Sequence, residues 1–378
     1  VEVIDTLAEM IAFPTVSNRP ITELASMVAH RCESLGFSVE MFVSPTDPTK
    51  VNVVCSAGPE DSDGLILSGH MDVVPTTGQP WSSDPFRLTA RDGNLYGRGT
   101  ADMKGFIAST IHALGRLDLS ALKQQLVLVW THDEEVGCQG SAQLVKELKR
   151  IDRRLPSQAI IGEPTDFRIL RMHPGHVTLK ITALGEAAHS SKPDLGASAI
   201  KAMHRILGMV EKLEADLQQD RRLEEFLDRP WTTLNAGIIS GGKAINLVAD
   251  TCELSLGYRP LPGDDPLDVF RQLNERLQEL KLPPGTSAKI ALMNVTPSML
   301  TPEGTDLQHT LIQHSSHDTC SAASFATDGG NFSELGVNSL IFGPGSIDVA
   351  HKADEYIRAN DLISAVGKLE SIVRSRCL

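Results

Sequence analysis

Aromatic side chains are scarce in this sequence. Phe, Trp and Tyr make up 4% of its 378 residues, so Leu, Ile, Val and Ala must fill any core. No apolar run approaches the ~20 residues of a membrane span. The opening stretch VEVIDTLAEMIAF carries two acids and no basic region, unlike a signal peptide. The cysteines Cys32, Cys55, Cys138, Cys252, Cys320 and Cys377 form no Cys-x-x-Cys pair. That spacing argues against a zinc ribbon or a disulfide framework and predicts reduced thiols in a cytoplasmic protein. Positive charge is short as well: 35 Lys and Arg stand against 48 Asp and Glu, a formal net charge of −13. A surface this acidic argues against nucleic acid and anionic membranes as partners. Internal repeats and low-complexity tracts are missing too.

What is present is the composition of a soluble globular protein, 41% hydrophobic and 22% charged, with a length that predicts two or three domains. Helical periodicity covers residues 2–12, 21–35, 103–115 and 141–149, and short apolar runs at 37–43, 52–57, 65–69, 125–131 and 159–161 read as strands. Strands alternating with helices predict an α/β layered domain with a mostly parallel central sheet. The pattern then changes. Strands at 177–184, 232–239, 251–258 and 288–295, with helices at 197–215 and 266–280, give the order β-α-β-β-α-β of an α+β ferredoxin-like unit. From about residue 301 the first pattern resumes, with a strand at 339–342 and a helix at 361–374. The expectation is a discontinuous domain, 1–176 and 297–378, interrupted by a second at 177–296.

Acids and histidines follow the short apolar runs. In LILSGHMD, His70 and Asp72 end a strand, and residues two apart on a strand share a face. The Asp72 carboxylate is therefore expected on the His70 ring, fixing it either as a structural histidine or as a metal ligand. In GRGTADMKG, Asp102 precedes a helix and either caps it or bridges cations. In HDEEVG, Asp133, Glu134 and Glu135 are either a solvated loop or a ligand next to a general base. Glu163 and His351 follow two further strands. Such sites at the ends of separate strands point to one convergent centre, because open α/β sheets bind ligands beyond the carboxyl ends of their strands.

The segments SGHMDVVP, GRGTADMKG, HDEEVG, IGEPTD, AAHSSKPDLGASAI, TLNAGIISGGKAINLV, CELSLGYRPLPG and FGPGSIDVAHKADEY, in this order over residues 68–356, resemble the M20 metallopeptidase family and its acetylornithine deacetylase-like branch. The resemblance implies a catalytic α/β domain with an inserted ferredoxin-like lid that also dimerises. It implies two divalent cations, zinc or cobalt, one on His70 and Glu163, the other on Glu135 and His351, with Asp102 between them and the following peptide bond cis. It makes Glu134 the general base, Asp72 the partner of His70, His189 the group that stabilises the oxyanion, and Asn246 and Arg259 contacts to substrate. His173 and His176, near the domain junction, are weaker candidates, and His132 receives no role. The charges of Asp102, Glu135 and Glu163, two divalent ions and one hydroxide close to neutrality.

The implied reaction is hydrolysis of an N-acyl amino acid, N2-acetyl-L-ornithine to L-ornithine and acetate, in arginine biosynthesis. N-succinyl-diaminopimelate desuccinylase, a general aminoacylase and a carboxypeptidase are the alternatives within the family. A non-catalytic binding protein of the same fold is the alternative outside it. One segment departs from the branch: residues 326–332 read ATDGGNF where its members carry a Thr-Glu-Ala type of sequence. That leaves the acyl amino acid open.

Overall fold

Four strands that are buried over nearly their whole length explain the centre of the molecule. Leu65–His70 pairs in parallel with Leu126–Thr131 on one side and Gln158–Ile161 on the other, and Asn338–Ile341 pairs in parallel with Gln158–Ile161. Runs as apolar as LVLVWT suit a sheet covered on both faces. Leu65 and Leu67 face a cluster that includes Leu7 and Met10, Val28, Phe106 and Ile107, and Leu369, drawn from the helices Glu2–Ile11, Thr22–Ser34, Lys104–Leu114 and Ala359–Cys377. Ile66 and Val127 are equally buried on the opposite face. Each such side chain contributes on the order of 1.5–3 kcal/mol when fully buried. Val51–Ala57 and Ser38–Val43 extend one edge antiparallel.

This computed structural model describes residues 2–17, 19–60, 62–315, 317 and 319–378. The chain divides into two compact units: Val1–Met172 with Leu300–Ala322 and Thr327–Leu378, and His173–Met299 with Ala323–Ala326. Because the four central strands run parallel, His70, Thr131, Ile161 and Ile341 all end at one edge of the first unit, and the loops that follow them start there. Gly162 shows how closely that edge is built: a Cβ added there would lie 2.1 Å from the Phe106 ring. The bare backbone lets the central helix pack directly under the loop that carries Glu163.

The second unit is a four-stranded antiparallel sheet in the order Thr233–Gly241, Thr251–Arg259, His176–Leu184, Ser287–Thr296, with the helices Ala199–Leu217 and Asp268–Glu279. Strict alternation of buried and half-buried residues along Thr251–Arg259 puts Cys252, Leu254, Leu256 and Tyr258 against Met203, Ile206 and Val210 of the longer helix. Ser198 caps that helix by accepting from the Lys201 N–H. This is the β-α-β-β-α-β order expected from the pattern. The small sheet of Thr89–Arg91, Asn94–Tyr96 and Tyr356–Arg358 was not legible beforehand, because three-residue strands carry too little periodicity. Among the described residues no helix is long and apolar enough to cross a membrane.

Candidate metal centre

Asp102 lies between two imidazoles. Its Oδ1 is 3.0 Å from His70 Nε2, and its Oδ2 is 3.1 Å from His351 Nε2. Each ring meets a second carboxylate: Glu163 Oε1 is 3.9 Å from His70 Nε2, and Glu135 Oε2 is 2.9 Å from His351 Nε2. The result is two half-sites sharing one carboxylate. The ligand atoms of His70, Asp102 and Glu135 all lie within 4.8 Å of one another, as do those of His70, Glu134 and Glu163. His70, Asp102 and Glu163 are buried, and the His351 side chain is 54% exposed, so the cluster opens on that side. The Asp102–Met103 peptide is cis, as the resemblance implied.

The electrostatics explain why this cluster calls for cations. Burial pushes the pKa of Glu135 up to about 7, with Asp102 adding to the effect, and raises Glu163 well above the usual carboxylate range. In return, the hydrogen bonds that Asp102 and Glu135 accept from His351 hold its pKa up to about 10. Burial opposes a charge on His70, yet Asp102 and Glu163 raise its pKa well above the ordinary value. The carboxylates thus favour positive charge on both rings, which divalent ions would supply more strongly. The donors are nitrogen and oxygen in shared, buried geometry, which fits a dinuclear site of zinc or a similar ion.

A consequence is measurable. Metal ligation needs neutral imidazole and ionised carboxylate, while the neighbouring carboxylates raise the pKa of both His70 and His351 in the metal-free chain and so favour the protonated rings. Filling the site at pH 7 is expected to release about two protons or more, and cation affinity is expected to rise with pH. Calorimetric titration in buffers of different ionisation enthalpy reads this directly; binding without proton release would exclude these two rings as ligands.

Asp72 corrects one expectation. The His70 ring is held by the Asp72 backbone carbonyl, 2.9 Å from Nδ1, while the Asp72 carboxylate is 3.7 Å from that nitrogen. The strand ends at His70, so the alternation that places residues two apart on one face stops there. The carboxylate instead accepts from the Glu134 N–H at 3.0 Å, the Glu135 N–H at 3.3 Å and the Ser17 hydroxyl at 2.9 Å. Asp72 therefore grips the backbone of the two glutamates and holds the His70 ring through its carbonyl.

Glu134 sits in the turn between the strand Leu126–Thr131 and the helix Gln139–Arg150. Its Oε1 accepts from the Cys138 thiol at 3.3 Å. Burial, with Glu163 and Asp328 adding, raises its pKa well above normal although His70 pulls the other way. Beneath the turn, Asp328 accepts from Thr131 Oγ1 at 2.6 Å and Ser141 Oγ at 2.5 Å, and Asn331 Nδ2 donates to the Cys138 carbonyl at 3.1 Å. The segment that departs from the branch pattern thus supplies a buried anchor for the turn that carries Glu134. His132, without a role from the sequence, bonds Asp133, whose other oxygen takes the Lys50 ammonium at 2.6 Å.

The remaining candidates belong to the second unit. His189 is exposed, its Nδ1 2.7 Å from Ser191 Oγ. It bridges to Leu247, and the Ser190 N–H donates to the Asn246 carbonyl at 2.9 Å, so His189 and Asn246 occupy neighbouring loops. Arg259 ends the strand Thr251–Arg259 near His173 and His176, and burial draws its pKa below the ordinary value. His173 is pressed down to about 4 by burial, which keeps it neutral.

Comparison with known proteins agrees with this geometry. The profile of peptidase family M20/M25/M40 matches residues 66–375. An acetylornithine deacetylase from Myxococcus xanthus is 36% identical over 377 residues, covering 98% of this chain and 97% of that protein. Another, from Pasteurella multocida (strain Pm70), is 34% identical and covers 97% and 96%. Among solved structures, an M20 family metallo-carboxypeptidase from Sulfolobus solfataricus superposes with a TM-score of 0.79 at 18% identity over 99% of each chain. A dinuclear metal-binding M20 peptidase from Bacillus subtilis does so with a TM-score of 0.67 at 14% identity, over 98% of this chain and 97% of that one. At such identities these two likenesses speak for the fold alone.

Proposed function

The chain belongs to peptidase family M20/M25/M40, and on that premise we propose that it hydrolyses the amide bond of an N-acyl amino acid, converting N2-acetyl-L-ornithine and water to L-ornithine and acetate, a step of arginine biosynthesis. The relatives named acetylornithine deacetylase support the substrate. The observation that carries the chemistry is the shared Asp102 carboxylate, 3.0 Å from one imidazole and 3.1 Å from the other. The test is hydrolysis of N-acetylornithine, N-acetylcitrulline and N-succinyl-diaminopimelate by the purified, zinc-loaded protein. A kcat/KM highest on N-acetylornithine supports the assignment; a preference for either of the others overturns the substrate while leaving the amide chemistry standing.

In this reading His70 and Glu163 would hold one zinc ion, Glu135 and His351 would hold the other, and Asp102 would serve both. When bound, the pair of cations polarises the amide carbonyl and lowers the pKa of the attacking water. Glu134 takes the proton from that water as its oxygen bonds to the carbonyl carbon, then delivers it to the leaving amine nitrogen as the C–N bond breaks. Asp72 keeps Glu134 and Glu135 in register through their N–H groups. His189 donates to the developing oxyanion, Arg259 pairs with the α-carboxylate, for which a planar guanidinium is suited, and Asn246 contacts the substrate.

We assign the second unit the part of a lid and dimerisation domain and place the protein in the cytoplasm. The edge strand Thr233–Gly241 supports self-association, since Ile238 and Ile239 are 68% and 54% exposed on it. Sedimentation at the mass of two chains, falling to one with Ile238→Asp, is the expected result; a single-chain mass for the parent protein overturns it.

A further inference from the structure

Resting on the dinuclear reading above, we propose that Glu355, Arg98 and Gln79 form a clamp that positions Asp102 and His351 together, and so sets the affinity of the site for its second cation. None of these three side chains belongs to the ligand set, and none touches the reacting atoms in the mechanism above.

The clamp starts at a carboxylate. Glu355 is fully buried, and its Oε1 accepts three backbone N–H groups: Gly99 at 3.0 Å, Ala101 at 3.0 Å and Asp102 at 3.1 Å. Those donors are the loop that presents the shared carboxylate, so Glu355 fixes the backbone from which Asp102 projects. Its other oxygen takes Arg98 NH1 at 2.6 Å, which balances the buried charge. Arg98 is itself buried, and its second terminal nitrogen donates to Gln79 Oε1 at 2.7 Å. Gln79 then donates from Nε2 to the His351 carbonyl at 2.8 Å. A continuous path thus runs from the amide of Asp102 to the carbonyl of His351, the two residues whose side chains meet at 3.1 Å.

Two further contacts brace the path. Trp81 Nε1 donates to Gln79 Oε1 at 3.0 Å, and the Arg98 guanidinium lies 5.1 Å from the Trp81 ring centroid. Ser82 gives its N–H and hydroxyl to Asp354 Oδ1 at 2.9 and 3.0 Å, fastening the loop of Gln79 to the loop of Glu355. His351 needs such support. Its φ is +63°, a left-handed conformation that a non-glycine residue holds only when its surroundings demand it. Its side chain is also 54% exposed, so packing alone does not orient the ring. His70 on the other half-site is buried and held by the Asp72 carbonyl, independently of the clamp. Loss of the clamp should therefore weaken one cation more than the other.

Groups that orient metal ligands typically change affinity about 10–100-fold when removed. The decisive variant is Gln79→Ala, because Gln79 is an uncharged, half-buried loop residue whose loss leaves the buried Arg98 still paired with Glu355; Glu355→Gln, which keeps an acceptor for the N–H groups but loses the charge facing Arg98, accompanies it. Metal-free parent and variants are titrated with zinc against a competing chelator, and the zinc concentration for half-maximal activity is measured alongside. Gln79→Ala is expected to weaken the lower-affinity zinc about tenfold or more, with the tighter one changed less. The zinc requirement for activity should rise in step, kcat at saturating zinc should stay within about threefold of the parent, and unfolding of the metal-free protein should be unchanged. Zinc affinities of Gln79→Ala within about twofold of the parent for both ions would overturn the clamp, whatever Glu355→Gln does. A parent chain that binds fewer than two zinc ions would instead overturn the dinuclear reading, so the two failures are distinguishable.

Discussion

Glu134→Ala is expected to lower kcat by about a thousandfold while two divalent ions remain bound, a loss of roughly 4 kcal/mol of transition-state stabilisation. The argument is one of division of labour between neighbours. Glu135 faces His351 at 2.9 Å and is proposed as a ligand, whereas Glu134 points to the Cys138 thiol and lies among Glu163, His70 and Asp328 without taking part in the shared Asp102 contact. A carboxylate held there can accept a proton and give it back, as a base that becomes an acid must. KM should change little, because Glu134 acts on the proton in flight and not on substrate binding. Metal content by elemental analysis separates this outcome from collapse of the site. Near-parental kcat with full metal would remove Glu134 from the role of base.

Asp102→Asn is expected to do more. Among the described residues Asp102 alone meets both imidazoles, so a neutral side chain there weakens both half-sites together. Affinity for the second cation is expected to fall by more than the ~100-fold typical of losing an orienting group. Turnover should then drop to the background of the chelated parent protein. The thermal effect follows by mass action: a cation at about a hundred times its Kd adds roughly 2.7 kcal/mol to the folded state, and the variant should lose that increment. Added metal should therefore raise the Tm of the parent protein and leave the Tm of Asp102→Asn almost unmoved. Equal metal-induced shifts in both proteins would show that Asp102 does not hold the ions.

The cluster of acids and histidines was legible where its members follow a short, strongly patterned run, as His70, Glu135 and Glu163 do. A buried strand such as Leu126–Thr131 is recognisable from local sequence, and a polar residue just past its end has few places to go. Parallel pairing then brings those ends to one edge whatever their distance along the chain. What orients the cluster was much less legible. Glu355 reaches the N–H groups of Gly99, Ala101 and Asp102 across more than 250 residues, and Asp328 reaches Thr131 and Ser141 across 197 and 187. No local period encodes such contacts. Asp72 differs for another reason: it lies two residues past His70, where the strand ends, and its backbone carbonyl takes the place expected of its carboxylate. The small sheet at Thr89–Arg91, Asn94–Tyr96 and Tyr356–Arg358 matters for the same orientation, since the last of its strands directly follows Glu355.

The central claim is a pair of cations held by five side chains around one shared carboxylate. Counting metal in the purified protein while following N-acetylornithine hydrolysis tests it most directly, with the metal stripped by chelation and returned in steps. The account expects two zinc ions per chain at full activity, loss of turnover when they are removed, and recovery as they return. Full turnover in a chain carrying less than about a tenth of an equivalent of divalent metal would contradict it.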